Sequence, residues 1–270
     1  MRNIMLKRTI TGAGIMICML AILHFSYLPA VMMTVGLAMA ELSSQEILCA
    51  AGYRDHIGLR ITLVFLTAAA FLLPIPHYDL ILWILLPCTM IGFGVLMVYK
   101  SRVSLHSGWK AIGLSMVVTV LFRAWPQLRL MENGLYYLSA AILVCAVTDV
   151  FAYWVGRAFG KHKLIPAVSP NKTVEGAAGG LIFAVVLSVL IGIWVPIPIH
   201  YPQMILYCIL ASVVGQFGDL CMSCVKRICG VKDFGKIFPG HGGILDRFDS
   251  QLLTIPFTIL FLQTASGFIP

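Results

Sequence analysis

The stretch SCVKRICGVKDFGKIFPGHGGILDRFD, residues 223–249, is a dense polar segment in a chain that is otherwise apolar. Its glycines and Pro239 disfavour one continuous helix through its middle. Charged groups within a membrane are costly and usually serve a function, and this segment lies between two apolar ones, so it is the first candidate for chemistry. Its ionisable side chains are Lys226, Arg227, Lys232, Asp233, Lys236, His241, Asp246, Arg247 and Asp249.

The residues around this stretch determine the fold class. The chain has 270 residues, of which 60% are hydrophobic and 11% charged, and its mean hydropathy is +0.94. A soluble domain carries about 25% charged residues. One membrane crossing takes roughly 20 helical residues, and an open sheet would leave its edges unsatisfied in lipid. We therefore expect an all-α, polytopic integral membrane protein with about nine transmembrane helices. The predicted spans are 9–25, 28–41, 60–75, 79–99, 110–125, 134–155, 177–196, 203–224 and 251–267.

The distribution of basic residues predicts the orientation. With the N-terminus in the cytoplasm, all but Arg123 and Arg129 of the 19 Lys and Arg residues fall on the cytoplasmic side. The loops 157–176 and 225–249 would then be cytoplasmic. The net charge of +8 lies in short loops beside apolar spans, which favours anionic lipid head groups over nucleic acid as the partner.

The two halves of the chain differ in the polarity of their spans. Before residue 134 the polar residues are interpreted as solvated loop charges, namely Glu41, Glu46, Arg54 and Asp55. We therefore predict an N-terminal scaffold, residues 1–133, and a C-terminal catalytic region, residues 134–270.

Two polar features precede the opening stretch. Asp149 lies within a predicted span, where a carboxylate indicates function by default, with a packing ion pair as the alternative. The loop SPNKTVEG, residues 169–176, places Asn171, Lys172 and Thr173 near the start of a helix, where free N–H groups favour a phosphate.

Acids and bases then alternate from Asp219 onward. Asp219 and Ser223 are four residues apart, and Asp246 and Asp249 three apart, so each pair shares a helix face. Carboxylates suit Mg²⁺, and lysine and arginine suit phosphate oxygens. The pattern indicates phosphoryl or nucleotidyl transfer to a lipid, with a salt-bridged loop cap as the alternative. A zinc or redox site is a minor alternative, on the cysteines 221, 224 and 229.

The spacing of these residues resembles the phosphatidate cytidylyltransferase (CDP-diacylglycerol synthase) family. The resemblance extends from the opening stretch to Asp219, Asp149 and residues 169–176, and in the N-terminal half it is limited to hydropathy and a basic start. Val150, Met222 and Phe234 stand where the family often has polar residues. The matching positions of the stretch are Ser223, Lys226-Arg227, Lys232-Asp233, Gly235, Pro239, His241-Gly242-Gly243, Asp246-Arg247 and Asp249.

The resemblance implies that CTP and phosphatidate react to give CDP-diacylglycerol and pyrophosphate, in phospholipid biosynthesis. It implies Mg²⁺, with another divalent ion or an additional monovalent cation as alternatives, on Asp219, Asp246, Asp249 and Asp149. The catalytic residues would be Asp219, Asp246, Lys226, Arg227 and His241. The substrate-binding residues would be Ser169, Asn171, Lys172, Thr173, Ser223, Lys232, Asp233 and Arg247.

The implied partners are CTP, phosphatidic acid and membrane lipid, in a homodimer within a bacterial inner (plasma) membrane. Two other functions stay open on the residues alone. One is a CTP-dependent kinase of an isoprenoid alcohol. The other is an ion-coupled transporter using Asp149 and Asp219, which the lack of a visible internal repeat disfavours.

Overall fold

The computed structural model describes the backbone of residues 2–75, 77–99, 105, 107–194 and 199–265, and the side chains of these residues from 11 onward except Ile15 and Tyr99. The chain divides into two compact units. Unit 1 comprises Met1–Pro76, Tyr99–Met131 and Val225–Phe248, and unit 2 comprises His77–Val98, Glu132–Cys224 and Asp249–Pro270. The predicted division into a scaffold half and a catalytic half concerns function and stays a prediction.

Ten α-helices and two short strands make up the described chain. In order they are α1 (Arg2–Phe25), α2 (Pro29–Ala50), α3 (Ile57–Leu72), α4 (Tyr78–Tyr99), α5 (Gly108–Phe122), α6 (Ala124–Leu130), α7 (Gly134–Phe159), β1 (Lys163–Ile165), β2 (Ser169–Thr173), α8 (Val174–Trp194), α9 (Tyr201–Ile228) and α10 (Leu245–Thr264). Helices α9 and α10 each contribute residues to both units.

Unit 1 is organised around α2. Pro29 opens this helix, a position where its missing N–H costs nothing. A side chain at Gly36 would come within 2.7 Å of the Phe71 ring, so glycine allows α2 and α3 to pack closely. The buried hydroxyls of Ser44 and Thr119 lie 3.3 Å apart and join α2 to α5.

Unit 2 is organised around the pairing of α7 with α8. A Cβ at Gly176 would lie 2.6 Å from the Ala152 carbonyl, and one at Gly180 would lie 2.6 Å from that of Thr148. Small residues spaced four apart let membrane helices approach closely. Thr148 also donates to the Ser212 hydroxyl at 2.9 Å, which ties α7 to α9.

A small β-ribbon joins α7 to α8, where the sequence predicted only a loop. Strands β1 and β2 are antiparallel, with Lys163 opposite Thr173 and Ile165 opposite Ser169. Helix α8 begins directly after β2, three residues before the predicted start at 177. Strands this short leave too few residues for an alternating pattern to stand out in the sequence.

The helices confirm the all-α class and agree with a polytopic membrane protein. Each of the nine predicted spans overlaps a helix, although α2 extends nine residues beyond span 28–41 and span 110–125 runs from α5 into α6. Within the described ranges, five helical segments are long and apolar enough to cross a membrane: Tyr78–Val98, Gly108–Leu130, Gly134–Phe159, Val174–Trp194 and Tyr201–Ile228. The count of nine stays a prediction, and the predicted span ends at 195–196 and 266–267 lie outside the described residues.

Candidate active site

Asp246 forms the centre of the polar stretch in unit 1. It lies in the first turn of α10 and is only 5% exposed. Its Oδ1 accepts a hydrogen bond from Lys226 Nζ at 2.9 Å, and Oδ2 accepts from the backbone N–H groups of Phe234 at 2.8 Å and Gly243 at 2.9 Å. The Lys226 ammonium also lies 5.6 Å from the centre of the Phe234 ring. One buried carboxylate therefore holds a lysine and two points of the loop.

The predicted glycine turn closes over this carboxylate. Phe238 and Gly242 form a β-bridge, and Gly242 has a φ of +88° with its Cα hydrogen directed toward Asp246, since a Cβ there would lie 2.7 Å from Oδ2. Glycine meets both requirements without strain. In the same turn, Nδ1 of His241 is buried without a hydrogen-bond partner among the described residues.

A cavity of about 580 Å³ opens in unit 1 beside the loop. Its walls are the end of α2 with the turn that follows, and residues 231–236. Lys232 and Asp233, both predicted to bind substrate, line it together with Arg54 and Lys236. Three cationic side chains around one cavity suit a phosphate-bearing ligand.

Asp219 forms a second polar centre, in unit 2. Its Oδ2 pairs with Lys172 Nζ at 2.5 Å, and its Oδ1 accepts the hydroxyl hydrogen bond of Ser223 at 3.2 Å. The side chains of Asp219 and Lys172 are 23% and 29% exposed, so the pair is accessible to a ligand. The structure thus brings together three residues that the sequence predicted for the site.

Asp149 and Asp249 also belong to unit 2. Asp149 lies within α7, as predicted, and its Oδ2 accepts from the Ser250 hydroxyl at 3.3 Å. Asp249 lies in α10 and accepts the backbone N–H of Ser250 on Oδ1 at 2.9 Å. Ser250 contacts both acids, and sequence reasoning did not identify it.

The remaining predicted residues lie on exposed elements or cap helices. Thr173 Oγ1 accepts the Gly176 N–H at 3.1 Å and caps the start of α8. Ser169 and Asn171 lie in β2. Arg227 is exposed and donates to the Val231 carbonyl at 3.2 Å, and the Arg247 side chain is exposed.

The acids fit Mg²⁺ unequally. Asp219 is part-exposed and has a cation at one oxygen only, so it could exchange Lys172 for a metal ion. Asp246 has a donor at each oxygen and could bind a metal only if Lys226 or the loop moved. Across the described ranges no three His, Cys, Asp or Glu side chains form a metal cluster. Mg²⁺ usually takes one or two carboxylates and completes its shell with water and phosphates.

Glu46 is a site residue that the sequence analysis misplaced. It was interpreted as a solvated loop charge, but it lies in α2 and is 6% exposed. Its carboxylate accepts the backbone N–H groups of Ile244 at 2.9 Å and Leu245 at 3.0 Å. The signal was its spacing: Met39, Ser43 and Glu46 recur at helical intervals and all three are buried.

Residues 6–265 match the model of a family described as the cytidylyltransferase family. The chain belongs to this family. It is 45% identical over 150 residues to a phosphatidate cytidylyltransferase of Bacillus subtilis (strain 168), covering 55% of this chain and 56% of the relative. It is 48% identical over 133 residues to the phosphatidate cytidylyltransferase of Staphylococcus haemolyticus (strain JCSC1435), covering 49% of this chain and 51% of the relative. The chain thus spans about half the length of the curated relatives it matches.

Proposed function

We propose that this protein is a phosphatidate cytidylyltransferase, which transfers CMP from CTP to phosphatidic acid. The observation that supports it is the pairing of lysine with aspartate in each unit, Lys226 with Asp246 and Lys172 with Asp219. Each pair holds an ammonium group in place before a phosphate arrives. The family membership and the names of the relatives point to the same activity.

The reaction needs little acid–base catalysis by the protein. A phosphatidate phosphate is largely dianionic near pH 7, because its second pKa is about 6. Its oxygen attacks the α-phosphorus of CTP, a new P–O bond forms, and the bond from that phosphorus to the bridging oxygen breaks. Pyrophosphate leaves with the electron pair. Most of the barrier comes from charge repulsion and positioning, which cationic side chains lower.

The cationic groups would differ in which substrate phosphates they contact. The cavity lined by Arg54, Lys232 and Lys236 would hold phosphates of one substrate. In unit 1, Lys226, fixed by Asp246, would neutralise phosphate charge. In unit 2, Lys172, fixed by Asp219, would do the same. His241 would donate to a phosphate oxygen from the glycine turn.

Mg²⁺ would be held by Asp219, with water and substrate phosphates completing its shell, since Asp149 and Asp249 form no three-acid cluster with it among the described residues. When bound, it would neutralise phosphate oxygens and help to orient them. Another divalent ion, or an additional monovalent cation, would be an alternative. In unit 1, Asp246 could accept a metal ion only after release of Lys226.

The proposal includes a location and an assembly. A plasma membrane position with the N-terminus and the polar loops in the cytoplasm follows from the distribution of basic residues. This orientation would put the polar loops on the cytoplasmic side, where CTP is available. We propose a homodimer on the strength of the family resemblance.

Labelled CTP tests this function. The purified full-length chain, in detergent micelles containing phosphatidic acid and Mg²⁺, is incubated with CTP that is labelled on the α-phosphate. We expect the label to enter the lipid only when phosphatidic acid is present. An Asp219→Asn variant should lose this activity, and a Glu132→Gln variant should retain it as a control for loss of one acidic side chain.

Two other outcomes would contradict the proposal. Transfer of a γ-phosphate label into an isoprenoid alcohol, without transfer of the α label, would indicate a lipid kinase. Ion-dependent flux into sealed vesicles without a lipid product would indicate a transporter.

A further inference from the structure

We propose that Glu46 is a positioning residue for the glycine loop, and that it acts on transfer through Asp246 and Lys226. The effect on turnover rests on the proposed cytidylyltransferase function. The effect on the loop does not. Glu46 lies outside the five candidate spans and outside the predicted span 28–41, in the last two turns of α2.

The carboxylate caps a helix that is remote in sequence. The first N–H groups of an α-helix have no partner within the helix, and a local Ser, Thr or Asp usually supplies one. At the start of α10 the partner of Ile244 and Leu245 is Glu46, 198 and 199 residues away. A negative charge is also favourable there because of the helix dipole.

The loop is shaped to receive this carboxylate. A Cβ added at Gly243 would overlap the Glu46 carboxylate, and so would one added at Gly235. The two glycines therefore flank the acid, and only residues without a side chain leave room for it. This explains why the loop needs glycine at two positions whose φ is not in the left-handed region.

Glu46 and Asp246 hold one backbone segment from two sides. The Gly243 N–H donates to Asp246 Oδ2, and the next two N–H groups along the chain donate to Glu46. Asp246 in turn holds Lys226 at 2.9 Å. A displacement of residues 243–245 would therefore shift Asp246 and disturb its pairing with Lys226.

The surroundings of Glu46 act on its charge in opposite directions. Burial, and to a smaller extent the nearby Asp246, raise the pKa of Glu46 above its usual value, while the two backbone hydrogen bonds oppose that rise. Two carboxylates near one loop repel each other. This pair of acids therefore fits a role in fixing the loop geometry better than a gain in stability alone.

Kinetics of three variants test the proposal. Glu46→Ala removes both acceptors, and Glu46→Gln keeps one amide oxygen while its NH₂ group faces the other donor. Glu41→Gln is the matched control, because Glu41 is on the same helix and accepts from Gln45 at 2.9 Å rather than from the loop. We expect kcat to fall about a hundredfold in Glu46→Ala, less in Glu46→Gln and not at all in the control. The KM for CTP should change much less than kcat, because the substrate contacts remain.

Hydrogen exchange of the full chain in detergent gives a readout that needs no activity. Peptides covering residues 235–248 should exchange faster in both Glu46 variants than in wild type and in Glu41→Gln. A double-variant comparison adds a second readout of this kind. Gly243→Ala should accelerate exchange in the wild-type background. It should do so much less in the Glu46→Ala background, because the carboxylate that the added methyl group would overlap is gone.

The outcomes separate this proposal from the proposed function. If wild type does not transfer CMP, the function fails and the exchange data still decide the role of Glu46. Unchanged exchange and unchanged kcat in both Glu46 variants would overturn the proposal. So would a Gly243→Ala effect of equal size in the two backgrounds. Faster exchange with unchanged kcat would reduce Glu46 to a structural cap and overturn its catalytic effect.

Discussion

Asp246→Asn is the most informative single substitution, because the buried pair with Lys226 gives a magnitude to expect. The two side chains are 1% and 11% exposed, so neither charge is well solvated. The amide that replaces the carboxylate can still accept the two backbone hydrogen bonds on its remaining oxygen, but its NH₂ group then faces the Lys226 ammonium. The variant therefore leaves the buried charge of Lys226 uncompensated, which lowers the free energy of unfolding by roughly 3 kcal/mol.

The assay is thermal unfolding of the full chain in detergent. A loss of this size should lower the unfolding midpoint by about 6–12 °C, taking 2–4 °C for each kcal/mol. The double variant Asp246→Asn with Lys226→Met removes both charges and should recover most of that loss. Both variants should be inactive, since Lys226 is proposed to contact phosphate.

A single result would refute this reasoning. The reasoning fails if Asp246→Asn unfolds at the wild-type temperature, or if the double variant is no more stable than the single one. Either result would show that the substitution leaves no uncompensated buried charge and that the carboxylate is not the organiser of the loop. The matched comparison is Asp219→Asn in the more exposed pair, where the same change of atoms meets solvent.

Three further predictions concern the other polar groups. Asp219→Asn should cost less than about 1 kcal/mol of stability because the pair is part-exposed. It should nevertheless reduce transfer at least tenfold and raise the Mg²⁺ concentration needed for half-maximal rate. An equal loss of transfer at saturating Mg²⁺, with unchanged metal dependence, would argue against a metal role. The raised pKa of Glu46 means that its ionisation opposes folding. The stability of wild type relative to Glu46→Gln should therefore fall as pH rises above the usual pKa of 4.5, and then level off. Unfolding midpoints of both proteins across pH measure this difference, and an increase of wild-type stability relative to the variant would contradict the prediction. Thr173→Val removes the cap of the Gly176 N–H and should cost about 1 kcal/mol, seen as a lower midpoint that Thr173→Ser restores.

The sequence was most informative where charge and spacing act locally. Every predicted span overlaps a helix, although α6 was not predicted as a separate element. The spacing of Asp219 and Ser223 correctly placed both on one face of α9. The acid in the middle of α7 was also placed correctly, because a carboxylate in an apolar run is conspicuous in any reading of the chain.

Long-range contacts could not be derived in the same way. Lys226 and Asp246 are 20 residues apart and meet only because the glycine turn folds back. The contact of Glu46 with α10 bridges almost 200 residues, and one sequence contains no signal that links such positions. Phe234 was noted as a lost polar group, whereas its backbone N–H and its ring both contact the buried pair.

The mass of the lipid product tests the central claim most directly. Wild-type protein is incubated with CTP, Mg²⁺ and phosphatidic acid of one defined acyl composition. The lipid is then extracted and its mass is measured by mass spectrometry, and pyrophosphate is measured in the aqueous phase. The account predicts that the lipid gains one cytidylyl group and that one pyrophosphate appears for each molecule converted. A lipid of unchanged mass, or one that gains a single phosphate with release of CDP, would contradict it.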